Sequence, residues 1–180
     1  MTVSHELHAS YSVFSRWVHW LTLALIIALF ALAWSIDSLP KDLRGPAVQL
    51  HQSFGIIVLG LTALRLVWRF AIGVPALPDD VPAWQKLAAR ANEYALYLLL
   101  LAQPVVGWLW GSAGERQINF FFLVQLPWLI GPDKDLSRAL GHLHGLIGNL
   151  LLVVIGLHAA AALYHHFVRR DRVLAGMLHG

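Results

Sequence analysis

Four histidines stand inside long apolar stretches, where an ionisable side chain is costly and usually has a function. They are His19 in RWVHWL, His51 in QLHQSFG, and His144 and His158 in one further apolar stretch. Imidazole nitrogen is a ligand for both haem iron and zinc. The chain has no cysteine, which excludes thiolate zinc sites, cysteine-held iron–sulfur clusters and covalent haem attachment through C-x-x-C-H. Any metal or redox centre must therefore depend mainly on histidine.

The spacing of the last two histidines is that of one helix face. His144 and His158 are fourteen residues apart. At about 100° per residue they fall only about 40° short of four full turns, and they are separated by roughly 21 Å along the helix axis. One helix would therefore present a histidine near each surface of a membrane.

Composition predicts the elements that position these histidines. Of 180 residues, 58% are apolar and only 13% are charged, whereas soluble domains carry about 25% charged residues. Four apolar stretches reach or exceed the roughly 20 residues that a bilayer span needs. We therefore predict an all-α fold, an integral membrane four-helix bundle forming a single domain over residues 1–180. The predicted spans cover residues 17–36, 50–70, 91–112 (with a bend at Pro104) and 140–168.

The connections differ in composition. Residues 37–49 are polar with two prolines and predict a loop. Residues 71–90 contain three prolines, which favour extended chain, followed by a short helix from Trp84 to Arg90. Residues 113–139 include NFFFLVQLPWLI, which is too short to span and is expected to lie among the lipid headgroups.

Basic residues set the expected orientation. The net charge is +3, but the bases flank apolar segments instead of forming a stripe, so a nucleic-acid partner is not expected. Eight lie in the N-terminal tail, the 65–90 region and the C-terminal tail, against five in the other two connections. The positive-inside rule then places both termini in the cytoplasm. No removable signal peptide is expected.

With this orientation, depth assigns partners to the histidines. His19 and His158 lie near the cytoplasmic surface, whereas His51 and His144 lie near the opposite one. Two imidazole pairs, one per leaflet, would suit two six-coordinate haems, since paired axial imidazoles leave no open position on iron. Zinc is disfavoured because two histidines without carboxylate or thiolate make a poor tetrahedral site. A histidine that merely packs and hydrogen-bonds within the bundle is the alternative at each position.

The remaining histidines have weaker signals. His165 lies seven residues after His158 and continues the same helix face towards the cytoplasm. It suits proton delivery to a reducible quinone, or it is an interfacial side chain beside Tyr164 and His166. His142 is out of phase with His144 and is expected to face water or headgroups. No role is expected for His5, His8 and His179.

Two other residue classes belong mainly to the membrane surface. The eight tryptophans stand mostly at span ends, as in an aromatic belt, and no catalytic role is assigned to them. Arg65 and Arg69 are one turn apart near the cytoplasmic end of the second span. They would either reach towards lipid phosphates or pair with a haem propionate.

The histidine-bearing segments resemble bacterial cytochrome b561. The resemblance is carried by SRWVHWLTLALIIALFALAW, HQSFGIIVLGLTALRLVWR and HGLIGNLLLVVIGLHAAAALYHHF, and it covers all four spans. It implies a multi-pass protein of the bacterial inner membrane, in contact with lipid, that binds two b-type haems. The family's axial ligands fall on His19, His51, His144 and His158.

The resemblance also implies a reaction, in which electrons from periplasmic superoxide pass through both haems to ubiquinone. Such outer-sphere transfer needs no catalytic side chain. The quinone-site candidates are His165 and Arg16. Basic residues on the superoxide side are balanced by five acidic ones, so the sequence shows no net positive funnel. The candidates for superoxide attraction are Lys41, Arg44, Arg116, Lys134 and Arg138.

Two other functions stay open at this point. The protein could be an electron-conduit subunit that anchors a partner dehydrogenase and feeds the quinone pool, with NFFFLVQLPWLI as the docking surface. It could also be a binding or structural protein without redox chemistry, its histidines satisfied by backbone and packing. Rapid reduction by superoxide separates the first function from the second, and a colourless preparation would indicate the third.

Overall fold

The structure is a computed structural model that describes residues 11–73 and 81–178. It contains four long helices, each apolar and long enough to cross a membrane. This confirms the predicted all-α membrane bundle. The helices are α1 (Val13–Ser35), α2 (Lys41–Ile72), α3 (Ala83–Ala113) and α4 (Lys134–Tyr164).

The helices pack in sequence order, α1 against α2, α2 against α3, and α3 against α4. The tightest apolar cluster joins Leu99 of α3 to Leu151 and Val154 of α4. Many large apolar side chains point outwards instead, including Ile27 and Val153. An apolar exterior of this kind is what lipid contact requires, since lipid chains do not drive apolar side chains inwards as water does.

Polar residues extend the helices beyond the apolar stretches. Ser12 accepts a hydrogen bond from the Ser15 amide at 3.2 Å and begins α1. Asp133 accepts hydrogen bonds from two amides of the first turn and begins α4, several residues before the predicted span at 140. Such caps satisfy amides that have no partner within the helix. The apolar run therefore marks the span but not the end of the helix.

The structure corrects two predictions about the connections, one on a loop and one on the extent of a helix. The predicted loop at 37–49 is helical from Lys41 onwards, although Pro46 inside this helix removes one backbone hydrogen bond. The predicted short helix at Trp84–Arg90 is the beginning of α3, which runs without a break from Ala83. The predicted extended segment falls largely on residues 74–80, outside the described residues.

A small hairpin follows α3. Strands β1 (Asn119–Phe120) and β2 (Val124–Gln125) pair antiparallel. The Gln49 side chain accepts from the first amide of β1 at 2.8 Å, and the Ser53 hydroxyl accepts from the Phe121 amide at 2.9 Å. The aromatic NFFF segment is therefore fixed to α2 instead of lying free.

The chain turns back after α4. A wide π-helical turn covers His165–Arg169, and Arg170 then adopts a left-handed conformation with φ 56°. The short helix α5 (Ala175–Leu178) follows. The Trp20 indole donates a hydrogen bond to the Met177 carbonyl at 3.0 Å. This contact fixes the C-terminal segment against α1, next to His19.

Candidate functional site

The structure brings the four histidines of the spans together as two pairs. His19 of α1 faces His158 of α4 with ring centroids 6.2 Å apart. His51 of α2 faces His144 of α4 with ring centroids 6.3 Å apart. Because α4 contributes to both pairs, one pair lies near each end of the bundle.

The spacing within each pair has a chemical meaning. Rings in direct hydrogen-bonded or stacked contact would lie closer. Two imidazoles that share one metal atom through facing nitrogens have centroids about 6 Å apart, because a metal–nitrogen bond is about 2 Å long. Among the described residues no group of three or more His, Cys, Asp or Glu could hold a metal. The geometry therefore fits a haem, whose porphyrin supplies the other four nitrogens.

His51 has a hydrogen bond that fixes the orientation of its ring. Its Nδ1 lies 3.1 Å from the Leu29 carbonyl oxygen of α1. A carbonyl only accepts hydrogen bonds, so Nδ1 carries the proton and Nε2 keeps its lone pair. Contacts of this kind set the tautomer and ring orientation of metal-binding histidines.

His19 has a different contact. Arg65 of α2 approaches its Nδ1 with Nη1 at 2.7 Å. A guanidinium only donates, so Nδ1 of His19 accepts here and the proton of the neutral ring is on Nε2. If His19 bound a metal through Nε2, the proton would have to move to Nδ1. Arg65 could then no longer donate to Nδ1 and would need a different acceptor.

The pocket between His19 and His158 is apolar along its length and polar at one end. Its polar end includes Glu93 of α3, whose carboxylate accepts from Nη1 and Nη2 of Arg69 in a two-point ion pair. Thr62 projects from α2, and its buried hydroxyl has no hydrogen-bond partner among the described residues. The apolar lining is formed by Leu23, Ile26, Leu96, Leu100 and Ile155. Such a lining suits a flat, largely apolar macrocycle with charged edges.

The pair of His51 and His144 is enclosed by close helix packing. A Cβ atom on Gly107 of α3 would lie only 3.0 Å from Cε1 of His144, so only glycine allows the ring this position. Nδ1 of His144 is buried and makes no well-formed hydrogen bond, although the Gln103 carbonyl lies near it. A Cβ on Gly145, by contrast, would meet nothing within 4 Å, because this glycine is exposed.

The two quinone-site candidates occupy different surroundings. The His165 ring binds the Asp171 carboxylate, with Nδ1 2.5 Å from Oδ2. Arg16 has a buried Nε without a hydrogen-bond partner in the described part of the chain. Neither residue lines the pocket between His19 and His158. His142 is exposed on α4, as its phase predicts.

Asp171 lies just beyond the last span and titrates abnormally. Burial on its own raises the pKa of the Asp171 carboxyl. Hydrogen bonds from His165 and from the Val173 amide outweigh this effect and lower the pKa below its usual value. The carboxylate is therefore ionised at neutral pH.

Only two of the five basic candidates on the opposite side share a pocket. Arg116 and Lys134 line a polar pocket with Glu115 and Asp133. Arg116 also stacks over the Trp110 ring at 4.7 Å. The Trp110 ring in turn lies 5.6 Å from the His144 ring. The Trp110 indole thus links a charged pocket to the pair of His51 and His144.

The other three basic candidates are separate. Arg44 donates to the backbone carbonyls of Leu39 and Asp37, at 2.9 and 2.7 Å. Arg138 forms an exposed ion pair with Asp135. Lys41 is the first residue of α2. The expected basic rim is therefore not a continuous patch.

Sequence reasoning missed four residues of these sites: Gly107, Trp110, Glu93 and Asp171. Trp110 was expected only in an aromatic belt, but it contacts His144. Gly107 and Glu93 could have been singled out by their types, a glycine and a carboxylate inside an apolar stretch. His5, His8 and His179, for which no role is expected, lie outside the described residues.

Comparisons with known proteins agree with this architecture. A family model described as prokaryotic cytochrome b561 matches residues 10–180. The chain is 31% identical over 170 residues to cytochrome b561 homolog 2 of Escherichia coli K12, covering 93% of this chain and 90% of that protein. It is 32% identical over 178 residues to the probable superoxide oxidase CybB of Yersinia pestis, covering 96% and 97%. It is also 28% identical over 170 residues to cytochrome b562 of Cereibacter sphaeroides, covering 89% and 90%.

Proposed function

Because the chain belongs to the prokaryotic cytochrome b561 family, we propose that it transfers electrons across the bacterial inner membrane from superoxide to ubiquinone. Membership of this family shows that the chain is a haem-binding membrane protein that transfers electrons. The proposal adds two haems, the two substrates and an orientation with both termini in the cytoplasm. The observation that carries it is the pair of imidazole–imidazole separations, 6.2 and 6.3 Å, at opposite ends of one bundle.

In this proposal the haem ligands are His51 with His144, and His19 with His158. Bound haem iron supplies reversible one-electron chemistry, and the protein sets access and potential. The Leu29 carbonyl orients His51 for ligation. With haem bound, Arg65 would leave Nδ1 of His19 and would hold a propionate carboxylate, which is the acceptor that a guanidinium prefers.

Superoxide is proposed to arrive at the end that carries His51 and His144. The similarity to a protein named probable superoxide oxidase supports this substrate. The pocket of Arg116 and Lys134 offers cations to a small anion, and Trp110 lies between Arg116 and His144. Lys41, Arg44 and Arg138 lie at the same end, but five carboxylates balance the basic residues there, so attraction of superoxide would depend on the local arrangement of charges.

Ubiquinone is proposed to be reduced at the opposite end, near Arg16 and His165. The buried Nε of Arg16 has no partner in the described residues and can donate to a quinone carbonyl oxygen. Two superoxide ions lose one electron each and become two molecules of dioxygen. Ubiquinone takes up these two electrons with two protons from the cytoplasm and becomes ubiquinol.

The haem scheme is tested by the absorption spectrum and haem stoichiometry of the purified protein. We expect two low-spin haems b per chain, with one lost in His144→Ala and the other in His158→Ala. His142→Ala is the matched control, because His142 is exposed on the same helix two residues from His144. Retention of both haems in either ligand variant would contradict the scheme.

An electron-conduit subunit is the second candidate, favoured by the hairpin surface. Leu123 is 83% exposed, and its neighbours Phe122 and Val124 are more than half exposed. Such a surface could dock a partner dehydrogenase. Stopped-flow mixing with superoxide separates the two candidates: rapid haem reduction in the isolated protein supports the oxidase, whereas inertness supports the conduit.

A further inference from the structure

We propose that Asp171 is the positioning residue of the quinone site and orients His165 so that its Nε2 gives a proton to the quinone. This inference rests on the proposed reduction of ubiquinone. It assigns a role to a carboxylate that lies beyond the last span and outside the two histidine pairs.

The two side chains form a close, partly buried contact. Nδ1 of His165 lies 2.5 Å from Oδ2 of Asp171, and the side chains are only 13% and 14% exposed. A carboxylate at this distance accepts the Nδ1 proton and holds the ring in one orientation. Nε2 is then the nitrogen available to a ligand.

The backbone is shaped to make this contact. After the π-helical turn, the left-handed Arg170 sends its amide back to the His165 carbonyl, and the Asp171 amide approaches the same oxygen at 3.2 Å. A left-handed conformation is unfavourable for a residue with a Cβ atom. Irregular π-helical turns in helices occur frequently at functional sites.

Two further contacts keep the carboxylate ionised and fixed. Nε of Arg169 lies 3.3 Å from Oδ2 of Asp171, and the Val173 amide donates to Oδ1 at 3.1 Å. On the other side, the Tyr164 ring lies edge-on to the His165 ring at 6.1 Å. The charged and titratable groups around His165 are therefore Asp171, Arg169 and Tyr164.

The arrangement performs a defined proton step. The carboxylate stabilises positive charge on the His165 ring, so both ring nitrogens can carry protons, as in a catalytic His–Asp pair. When the quinone gains an electron from the reduced protein, the Nε2–H bond of His165 breaks and an O–H bond forms at the quinone oxygen. The Nδ1–H bond to Asp171 stays in place, and Nε2 takes a new proton from cytoplasmic water. Two such transfers match the two electrons of quinol formation.

A purely structural role for Asp171 predicts something different. Its Oδ1 accepts from the Val173 amide, so Asp171 could serve only to close the turn. Asp171→Asn keeps an oxygen for this amide and removes the charge, whereas Asp171→Ala removes both. The two variants therefore separate positioning from turn closure.

The experiment follows the two half-reactions separately in the full-length, haem-loaded protein in lipid nanodiscs. One measures haem reduction by superoxide, and the other measures reoxidation of the dithionite-reduced protein by a soluble ubiquinone analogue. In Asp171→Asn we expect reoxidation to slow by at least ten-fold and haem reduction by superoxide to be unchanged. Asp135→Asn is the control for the reoxidation half-reaction, since it removes an exposed carboxylate from the first turn of α4, at the other end of the bundle.

Equal rates in Asp171→Asn and in the unchanged protein would overturn the inference, as would an equal slowing of both half-reactions. If the unchanged protein is not reoxidised by quinone at all, the proposed function fails and not the role of Asp171 alone. If Asp171→Ala does not fold, Asp171→Asn still decides the question.

A second readout does not depend on activity. In protein labelled with ¹⁵N-histidine, the His165 signal is identified by its loss in His165→Gln. Its nitrogen shifts should report a proton on Nδ1 in the unchanged protein and a different protonation pattern in Asp171→Asn. An identical pattern in both would show that Asp171 does not orient the ring.

Discussion

Nη1 of Arg65 lies 2.7 Å from Nδ1 of His19. The guanidinium of α2 therefore contacts one ring nitrogen, while the other, Nε2, is the one that would bind iron. The same arginine lines the pocket between His19 and His158. Within residues 11–73 and 81–178, Arg65 forms no ion pair with a carboxylate, so this partly buried arginine lacks an anionic partner there. A propionate carboxylate would supply one, which makes Arg65 the most informative position for testing the pocket.

We expect Arg65→Leu to lower the midpoint potential of one haem by tens of millivolts and to weaken its retention. Loss of a nearby positive charge disfavours the reduced, less positive form of the iron. A spectroelectrochemical titration measures both haems. Arg44→Leu is the control, because Arg44 binds backbone carbonyls at the other end of the bundle. Unchanged potentials in Arg65→Leu would contradict the assignment.

We expect Gly107→Ala to displace His144 and to disturb only the haem held with His51. The added Cβ would lie 3.0 Å from Cε1 of the His144 ring, and overpacking of this kind costs about 1–3 kcal/mol. The measurement is the low-spin absorption band and the thermal midpoint. Gly60→Ala is the matched control, since a Cβ there meets nothing within 4 Å. An effect of equal size in both variants would argue against a specific clash.

Arg69 and Glu93 should be strongly coupled in their contributions to the free energy of unfolding. Its side chains are 15% and 29% exposed, so Arg69→Met leaves a partly buried carboxylate without its partner. We expect a loss of about 1–3 kcal/mol in unfolding free energy, and a smaller loss in the double variant Arg69→Met/Glu93→Gln. A double-mutant cycle on thermal or denaturant unfolding measures this. Additive losses would mean that the pair is not coupled.

The C-terminal turn should loosen in acid. The pKa of Asp171 is lower in the folded protein than in an unfolded chain. Its contribution to stability is therefore present above the unfolded value, near 4, and is lost as pH falls through the lower folded value. Amide hydrogen exchange of residues 165–178, followed from neutral pH downwards, measures this. In Asp171→Asn the turn should exchange faster at neutral pH and lose this part of the acid dependence.

Periodicity determines how much could be predicted from the sequence. The juxtaposition of His144 with His51, and of His158 with His19, follows from rigid helix geometry and from the depth at which each span begins. Their role as haem ligands stays a prediction. The starts of two helices were misplaced. Helix α2 begins after Pro40 and helix α4 begins after Asp133, and the first turn of each contains charged residues, which apolar patterning does not detect.

The finer contacts of the sites could not be predicted. The contact of Gly107 with His144 depends on the rotation of α3 against α4, and the contact of Arg65 with His19 depends on a side-chain conformation between two helices. Asp171 reaches His165 only because Arg170 adopts a left-handed conformation. No local sequence pattern used above specifies such a turn.

Since α4 carries one histidine of each pair, the distance between the two sites is determined within a single continuous helix. Changes in loop length or small shifts between helices alter it little. A residue inserted between 145 and 157 would rotate one site by about 100° relative to the other and move it about 1.5 Å. The chain should therefore tolerate insertions in its connections but none in this stretch, which sets both the distance and the angle between the two sites.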